Sequence, residues 1–383
     1  MLNIVNAGIR EILASHKTII LYGASQNINL FFNEVKNEEI LARTQCIVDR
    51  NEKLDGTMFR VNNRKLPIVS LRKFLQRKRI KNDCQIIIMI EDYEKAVFYL
   101  DQIDEMDGIR SYIWKEPFLR IHSGKTVGKK IILPKPEKGK YIIPQVIHYC
   151  WFGGKELPDN VKDSIESWKC SNPEFQLQCW NESNYDISCI PYIKEAYDKE
   201  KYSFVSDFVR YDVVYRYGGF YFDTDVELYA SIEDLRYYRG FFSVEYYDLV
   251  ASGLGFAAEA GDEMIGQLRD NYLKRHFILE DGTLNLTPCS RYETDFFGKK
   301  GFAVKNQFQV FEDFLVFPYE VFSPMNQYTA MLEITQNTRG IHRFDCSWFG
   351  SNQIQEWVRQ KQSRQGANDK IKQSWLKEHY EKV

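Results

Sequence analysis

The sequence lacks several features that would assign a chain to a class at once. It contains no run of ~18 consecutive apolar residues, so no membrane span is predicted. Its first residues, MLNIVNAGIREILASHK, do not join a basic stretch to an apolar core, so no secretory signal peptide is predicted. The formal net charge of −2 provides no basic field for nucleic acid. The eight cysteines include no C-x-x-C pair and are spread along the chain, which favours reduced thiols in the cytoplasm.

What the chain does contain is enough material for two domains of ordinary size. It has 383 residues, of which 44% are hydrophobic and 15% aromatic, so it can bury a large core. Buried strands are predicted at 17–22 (KTIILY), 46–51 (CIVDRN) and 85–90 (QIIIMI), and helical spacing follows the first and the last. Alternating strands and helices predict a parallel sheet covered by helices, so residues 1–125 are expected to form a small Rossmann-like α/β domain.

The first strand and its turn partly resemble a dinucleotide-binding fingerprint. Gly23 follows the strand, and Asp49 ends the next one, but the G-x-G-x-x-G pattern has only this one glycine. Asn27 and Asn29 stand where the backbone would have to approach a pyrophosphate. A working cofactor site is therefore not expected here. The segment VDRNEKLDGTMFRVNNRKLPIVSLRKF resembles the second strand and loop of small Rossmann-like domains that accompany several sugar-modifying bacterial enzymes, and this resemblance implies a scaffold or regulatory role.

Composition divides the rest of the chain. Residues 126–142 are rich in lysine, glycine and proline without periodicity, which indicates a linker. Residues 143–350 form the second α/β domain, and 351–383 form a basic, helical tail that carries Trp375. Two interpretations of the tail stay open. It packs on the domain, or it makes a peripheral contact with an anionic membrane at its inner face.

The most informative stretch is SFVSDFVRYDVVYRYGGFYFDTDVELY at 203–229. Apolar residues recur at helical spacing as far as Gly218-Gly219, which are expected to end the helix. GFYF then reads as a short strand that ends in Asp223-Thr224-Asp225. On a strand, residues i and i+2 face the same side, so Asp223 and Asp225 are expected to converge on one ligand.

Two convergent carboxylates are costly unless a cation lies between them. Hard oxygen ligands suit Mg²⁺ or Mn²⁺, and such an ion can also take the two phosphates of a nucleotide diphosphate. Asp207 and Arg210, one helical turn apart on the preceding helix, either bind sugar hydroxyls or form a simple ion pair. An isolated D-x-D is more often a structural turn with two solvated acids, so the neighbouring residues decide between the two interpretations.

Two further motifs flank this stretch. IPQVIHYCWFGG is a strand that opens into an aromatic and glycine-rich loop, where Trp151 either stacks on a base or packs in the core. GIHRFDCSWFG at 340–350 supplies His342, which either completes a metal site or is a satisfied core histidine.

In this order and at this spacing, IPQVIHYCWFGG, SDFVRY with GGFYFDTD, and H-x4-S-W resemble the D-x-D glycosyltransferases of family 32. That family includes yeast initiating α-mannosyltransferase and bacterial capsule transferases, and the glucosyltransferase domains of large clostridial toxins are similar. The resemblance covers about 143–350. It implies a GT-A fold of mixed sheet flanked by helices, a nucleotide-sugar donor, Mn²⁺ or Mg²⁺, and retention of anomeric configuration.

The resemblance also implies residue roles. Asp207, Arg210, Asp223 and Asp225 would be catalytic, and Asp223, Asp225 and His342 would bind the metal. The donor-binding residues would be His148, Tyr149, Trp151, Asp207, Arg210, Asp223, Ser347 and Trp348. The implied reaction moves a hexose or N-acetylhexosamine, with UDP favoured as the carrier, to a glycan, lipid-linked or protein-linked acceptor in bacterial surface polysaccharide or glycoconjugate synthesis.

Two other classes fit the same motif. In an aspartyl-phosphate phosphatase or phosphotransferase, FDTDV would supply a nucleophilic Asp223 at the end of a strand. That chemistry normally places its motif on the first strand of the domain, whereas here the motif follows a helix and a Gly-Gly turn. The other alternative is a non-catalytic nucleotide-sugar-binding regulator in which the acids are structural.

Overall fold

A computed structural model describes residues 3–4, 7–25, 27–35, 37–61, 63–76, 83–90, 93–114, 119–120, 128–136, 139–245, 249–326, 332–345, 362 and 365–377. The chain divides into two compact units, Met1–Lys125 and Thr126–Val383. Both combine sheets with helices, as the mixed α/β prediction requires. No helix among the described residues is long and apolar enough to cross a membrane.

The first unit is built on one seven-stranded sheet. The strands of the whole unit are β1 (Asn3–Ile4), β2 (Ala7–Gly8), β3 (Thr18–Tyr22), β4 (Thr44–Asp49), β5 (Met58–Val61), β6 (Arg64–Ser70), β7 (Cys84–Ile88), β8 (Arg110–Ile113) and β9 (Leu119–Arg120). Its helices are α1 (Ile9–Ala14), α2 (Asn27–Val35), α3 (Glu38–Arg43), α4 (Leu71–Leu75) and α5 (Tyr93–Asp101). The sheet order is β1-β8-β7-β3-β4-β6-β5, parallel except for the β5–β6 pair, and β2 pairs with β9 separately.

The space around the turn after β3 is filled by other residues of the protein, and the turn is hydrogen-bonded by one of them. Gly23 has φ +98°, and a Cβ there would lie 2.2 Å from Ile90 Cγ1, so glycine is required by both conformation and space. The Asp49 carboxylate accepts a hydrogen bond of 2.7 Å from the Ala24 amide. The acid at the end of the second strand therefore braces the glycine turn.

The second unit contains another seven-stranded sheet, which is mixed. Its strands are β10 (Val146–Cys150), β11 (Gln176–Trp180), β12 (Gly219–Tyr221), β13 (Val226–Leu228), β14 (Gly240–Ser243), β15 (Phe256–Ala258), β16 (Gln309–Phe311), β17 (Phe314–Phe317) and β18 (Gly340–His342). Its helices are α6 (Asp159–Ser171), α7 (Pro191–Asp198), α8 (Tyr202–Tyr217), α9 (Glu263–Asp270), α10 (Cys289–Lys299), α11 (Tyr319–Phe322) and α12 (365–377). The large sheet runs β11-β10-β12-β15-β14-β17-β16, and β13 pairs with β18 in a small antiparallel sheet.

Aromatic cores cover both faces of the large sheet. Along β12 and just beyond it, Tyr221 belongs to one core, whereas Phe220 and Phe222 belong to the other, as the two-residue period of a strand requires. Each fully buried aromatic contributes roughly 1.5–3 kcal/mol of transfer free energy. Strand β12 is therefore packed on both faces, and the residues that follow it extend from a firmly packed strand.

The segment predicted as a linker lies on the second unit wherever it is described. The Gly128 amide donates to Glu320 Oε2 (2.7 Å), and the Ile131 amide donates to Asn337 Oδ1 (2.9 Å). Further along, Tyr238 OH donates to the Pro134 carbonyl at 2.7 Å. Glycine and proline content indicated an irregular segment correctly, but irregular backbone also packs when its amides find partners.

The basic tail also has partners on the second unit. Trp375 on α12 is 8% exposed and its ring centroid lies 6.0 Å from that of Tyr229. Lys372 Nζ lies 2.8 Å from Glu227 Oε2. Of the two interpretations of the tail, these contacts favour the packed helix, and a membrane contact has no support from them.

Candidate functional site

Helix α8 and the two glycines after it deliver the chain to the site. The helix ends at Gly218, which has φ +64°, a left-handed conformation that glycine adopts at low cost. A Cβ on the next residue, Gly219, would lie 2.5 Å from Val146 Cγ1, so only glycine lets β12 start this close to β10. The chain reverses tightly at these glycines, so the part of α8 that carries Arg210 lies beside the carboxyl end of β12.

The acid pair itself lies in a turn rather than on a strand. Strand β12 ends at Tyr221, and β13 begins at Val226, whose amide donates to the Asp223 carbonyl at 3.0 Å. The expectation that Asp223 and Asp225 face one side because a strand continues through them is therefore wrong. The two carboxylates have different protein partners, described next.

Asp223 faces α8. Its Oδ1 accepts hydrogen bonds from Arg210 Nη2 (3.2 Å) and Tyr221 OH (2.9 Å). Its Oδ2 accepts none from the described residues, and its side chain is 30% exposed. Gly253 lies against this carboxylate, because a Cβ there would be 2.2 Å from Oδ2. One oxygen is thus fixed by the protein while the other stays open to a ligand.

Arg210 is the centre of a buried charge cluster. It is 3% exposed, and its guanidinium lies 3.1 Å from Asp207 Oδ1 and 3.1 Å from Ser252 Oγ. Burial raises the pKa of Asp207 to about 7, although the Arg210 charge opposes the rise. Burial also raises the pKa of Glu293, another buried acid, although the Arg210 charge opposes the rise. Two carboxylates, Asp207 and Asp223, contact this guanidinium, and the Oδ2 of Asp223 stays available to accept from a hydroxyl group of a polar ligand.

Asp225 faces the small sheet. Its Oδ1 lies 3.1 Å from His342 Nε2, and its Oδ2 accepts a hydrogen bond of 3.0 Å from the Asp345 amide. Burial acts to raise the pKa of Asp225, but His342 and the Asp345 amide hold it well below its ordinary value. The same contact raises the pKa of His342 against the effect of its own burial. This carboxylate is therefore ionised.

Some atoms in this group fit a divalent cation. The open Oδ2 of Asp223 and the ionised Asp225 are hard oxygen donors of the kind that Mg²⁺ and Mn²⁺ prefer. His342 Nδ1 is buried and has no hydrogen-bond partner within the described residues. No three His, Cys, Asp or Glu side chains in that part of the chain are grouped as a metal site. The predicted metal ligands stay a prediction.

His148 and Tyr149 have partners in the core. Trp180 Nε1 donates to His148 Nδ1 (3.1 Å), so the other ring nitrogen, Nε2, carries the proton and donates to the Gly218 carbonyl (2.8 Å). Burial lowers the pKa of His148, which keeps the ring neutral. Tyr149 is 9% exposed and packs edge-on against Trp168. Both ring nitrogens of His148 therefore have protein partners, and the donor contacts of His148 and Tyr149 stay predictions.

Trp151 differs from these two residues. It follows β10, is half-buried, and its Nε1 donates to the Lys155 carbonyl at 2.7 Å. That bond fixes the edge of the indole ring while part of the ring stays accessible. Ser347 and Trp348 lie outside the described residues.

The structure adds three residues that sequence reasoning missed, namely Ser252, Cys289 and Glu293. Cys289 Sγ lies 3.5 Å from Arg210 Nη1, and Glu293 accepts two hydrogen bonds from Ser252. A signal for Glu293 was present, because Ser290, Glu293 and Phe297 form the buried side of α10. An acid on the apolar face of an amphipathic helix needs a partner, and that requirement points to a site.

Comparison with known families places this turn in a recognised region. Residues 158–241 match the family described as "Glycosyltransferase sugar-binding region containing DXD motif". The match includes α8, β12 and Asp223-Thr224-Asp225, and so most of the charge cluster. The acid pair therefore lies in the part of the chain that is similar to a glycosyltransferase sugar-binding region.

Two curated relatives from Schizosaccharomyces pombe are similar over part of their length. Inositol phosphoceramide mannosyltransferase 3 is 28% identical over 100 residues, which are 25% of this chain and 28% of the relative. Inositol phosphoceramide mannosyltransferase 2 is 28% identical over 104 residues, 26% of this chain and 30% of the relative. Among solved structures, the PaToxG glycosyltransferase has 17% identity over 41% of this chain and 69% of that chain, with a TM-score of 0.33. That score is too low to define a shared topology.

Proposed function

We propose that this chain, which is similar over residues 158–241 to a glycosyltransferase sugar-binding region with a DXD motif, is a retaining transferase that uses a nucleotide diphosphate sugar. The observation that carries the proposal is the buried cluster of Asp207, Arg210 and Asp223 beside the Asp225 turn. The moved sugar is a hexose or N-acetylhexosamine, and UDP is the favoured carrier. The names of the two yeast relatives support a hexose and a lipid acceptor.

The proposed roles follow from the hydrogen-bond donors and acceptors of each side chain and from their partners in the protein. Every nitrogen of the Arg210 guanidinium already has a protein partner, so Arg210 would act on the donor sugar through the Asp207 and Asp223 carboxylates that it holds, and these would accept hydrogen bonds from sugar hydroxyls. Asp223 presents Oδ2 toward the ligand while Arg210 and Tyr221 hold its Oδ1. Asp225, with His342 behind it, supplies the second carboxylate. A Mn²⁺ or Mg²⁺ ion held by Asp223, Asp225 and His342 would stabilise the negative charge of the departing diphosphate.

We propose the acceptor, the pathway and the location of the protein on the same basis. The acceptor is a glycan, a glycolipid or a glycoprotein, and the pathway is synthesis of a bacterial surface polysaccharide or glycoconjugate. The first unit is an accessory module. A cytoplasmic location and an association with the inner face of the membrane stay predictions, and the contacts of Lys372 and Trp375 with Glu227 and Tyr229 account for α12 without a membrane.

Donor hydrolysis tests the proposal. We expect the full chain to release free sugar and nucleoside diphosphate slowly from one member of a nucleotide-sugar panel in the presence of Mn²⁺. A phosphatase would instead release inorganic phosphate from phosphomonoesters, and a binding protein would release neither product. Absence of hydrolysis across the panel, in folded protein with metal present, would rule out the transferase.

Trp151 provides a separate test of where the base binds. Stacking of a base on an aromatic ring is worth about 1–3 kcal/mol, so Trp151→Ala is expected to raise the donor KM about tenfold with little change in kcat. Trp151→Phe keeps a ring and is expected to recover most of the affinity. Steady-state hydrolysis and the tryptophan fluorescence change on UDP addition are the measurements. A KM equal to that of the wild type would assign Trp151 to the core alone.

A further inference from the structure

Behind Arg210 lies a buried acid that the proposed chemistry does not use. Glu293 on α10 is 1% exposed, and both of its oxygens are bound by the same residue. The Ser252 amide donates to Oε2 at 2.8 Å, and the Ser252 hydroxyl donates to Oε1 at 2.6 Å. A carboxylate that accepts two bonds from one residue fixes that residue's backbone and its side-chain rotamer together.

The direction of the Ser252 hydroxyl matters for Arg210. A hydroxyl has one hydrogen, and Ser252 gives it to Glu293, so only lone pairs remain for its other neighbours. Arg210 Nη1 lies 3.1 Å from Ser252 Oγ, and a guanidinium can only donate. Glu293 thus orients the hydroxyl as the acceptor that Arg210 needs.

The residue after Ser252 extends this arrangement to Asp223. The Gly253 carbonyl accepts a hydrogen bond of 3.0 Å from the Asp223 amide. The Gly253 Cα also limits the Asp223 carboxylate, since a Cβ would lie 2.2 Å from its Oδ2. The short 3-10 turn Ser252–Leu254 therefore contacts both the guanidinium and the open carboxylate of the site.

We infer that Glu293 and Ser252 are positioning residues, which hold Arg210 and Asp223 in the arrangement that receives the donor sugar. The inference rests on the proposed function because it concerns the same site. It assigns no contact with the donor to either residue. Their effect passes through the hydrogen bonds to Arg210 and through the turn that supports Asp223.

Helix α10 supplies its own control. Thr294, the next residue, accepts a hydrogen bond of 2.9 Å from the Val250 amide and so anchors the same loop. Thr294→Val keeps the shape of the side chain and removes that bond without touching Ser252 or Arg210. A loop that needs only to be anchored would suffer equally from either change.

Three variants of the full chain separate positioning from anchoring. Ser252→Ala removes the acceptor of Arg210, and Glu293→Gln leaves the Ser252 hydroxyl hydrogen without its carboxylate. A hydrogen bond to a charged group is worth about 1.5–3 kcal/mol, so each is expected to lower kcat/KM for donor hydrolysis about tenfold to a hundredfold. Thr294→Val is expected to stay within about threefold of the wild type. These expectations concern the donor that the wild type hydrolyses.

Binding of UDP alone and the melting temperature are the second readouts. A positioning defect at the sugar site leaves the Kd of Ser252→Ala for UDP near that of the wild type and lowers the melting temperature only by the cost of the lost buried hydrogen bonds, whereas a general structural defect weakens UDP binding as well. Wild-type kcat/KM in Ser252→Ala, or equal losses in Thr294→Val, would overturn the inference while the transferase stands. A wild type that hydrolyses no nucleotide sugar would remove the proposed function itself.

Discussion

Asp225→Ala is expected to slow donor hydrolysis by about three orders of magnitude, at ~1.4 kcal/mol for each factor of ten. The reason is the loss of an ionised carboxylate from the proposed metal site. The change also leaves His342 without its partner and the Asp345 amide without its acceptor, so a lower melting temperature is expected. Asp225→Asn retains an acceptor for that amide and loses the charge. It is therefore expected to lose activity with a smaller change in stability.

Metal removal should reproduce the defect of Asp225→Ala. Hydrolysis by the wild type is expected to fall to the level of the variant in excess chelator and to return when Mn²⁺ is added. Circular dichroism checks that both proteins stay folded. Thr224→Ala, between the two acids, is the matched control and is expected to have a mild effect. Full activity in chelated wild type would show that the acid pair works without a divalent ion.

Arg210→Ala is expected to have the second largest effect, with hydrolysis reduced about a hundredfold to a thousandfold. Its guanidinium bonds Asp207, Asp223 and Ser252, and removal leaves buried carboxylates without their cation. Breaking a buried pair in this way costs about 3–5 kcal/mol, so the free energy of unfolding should fall as well.

Arg210→Lys distinguishes the two consequences. A lysine keeps the positive charge but lacks the planar fork that reaches several partners at once. It is expected to recover much of the stability in urea unfolding and little of the activity. If Arg210→Ala retains activity within tenfold of the wild type while folded, the cluster does not bind the donor sugar.

The parts that the sequence predicted well are those that local pattern determines. Helix α8 ends where Gly218-Gly219 indicated, because a positive φ and a close approach to β10 leave no other choice of residue. The short strand β12 follows, and its residues alternate between two cores. Such features depend on neighbours a few positions away, so periodicity and glycine are enough.

The parts that it missed depend on distant contacts. A three-residue strand carries too little period to tell where it stops, so the turn at Asp223 looked like a continuation of β12. The contact of Asp225 with His342 comes from the pairing of β13 with β18, which nothing local encodes. His148 lies in the middle of β10, and its side chain bonds Trp180 of the neighbouring strand β11. Glu293 was detectable only as an acid on a buried helical face.

The two acids lie between the large sheet and the small sheet of the second unit. Asp223 follows a strand of the large sheet, whereas Asp225 precedes β13, which among the described strands pairs with β18 alone. A two-stranded sheet is marginally stable alone, and here Glu227 ties it to Arg343 (3.0 Å) and to Lys372 (2.8 Å). Val226 and Leu228 of β13 also lie in the apolar core that holds Phe220 and Phe222, and Trp168 Nε1 donates to the Val226 carbonyl at 2.7 Å. Amide exchange in β13 and β18 is therefore expected to require opening of that shared core. The arrangement of the two carboxylates persists for as long as this core stays folded.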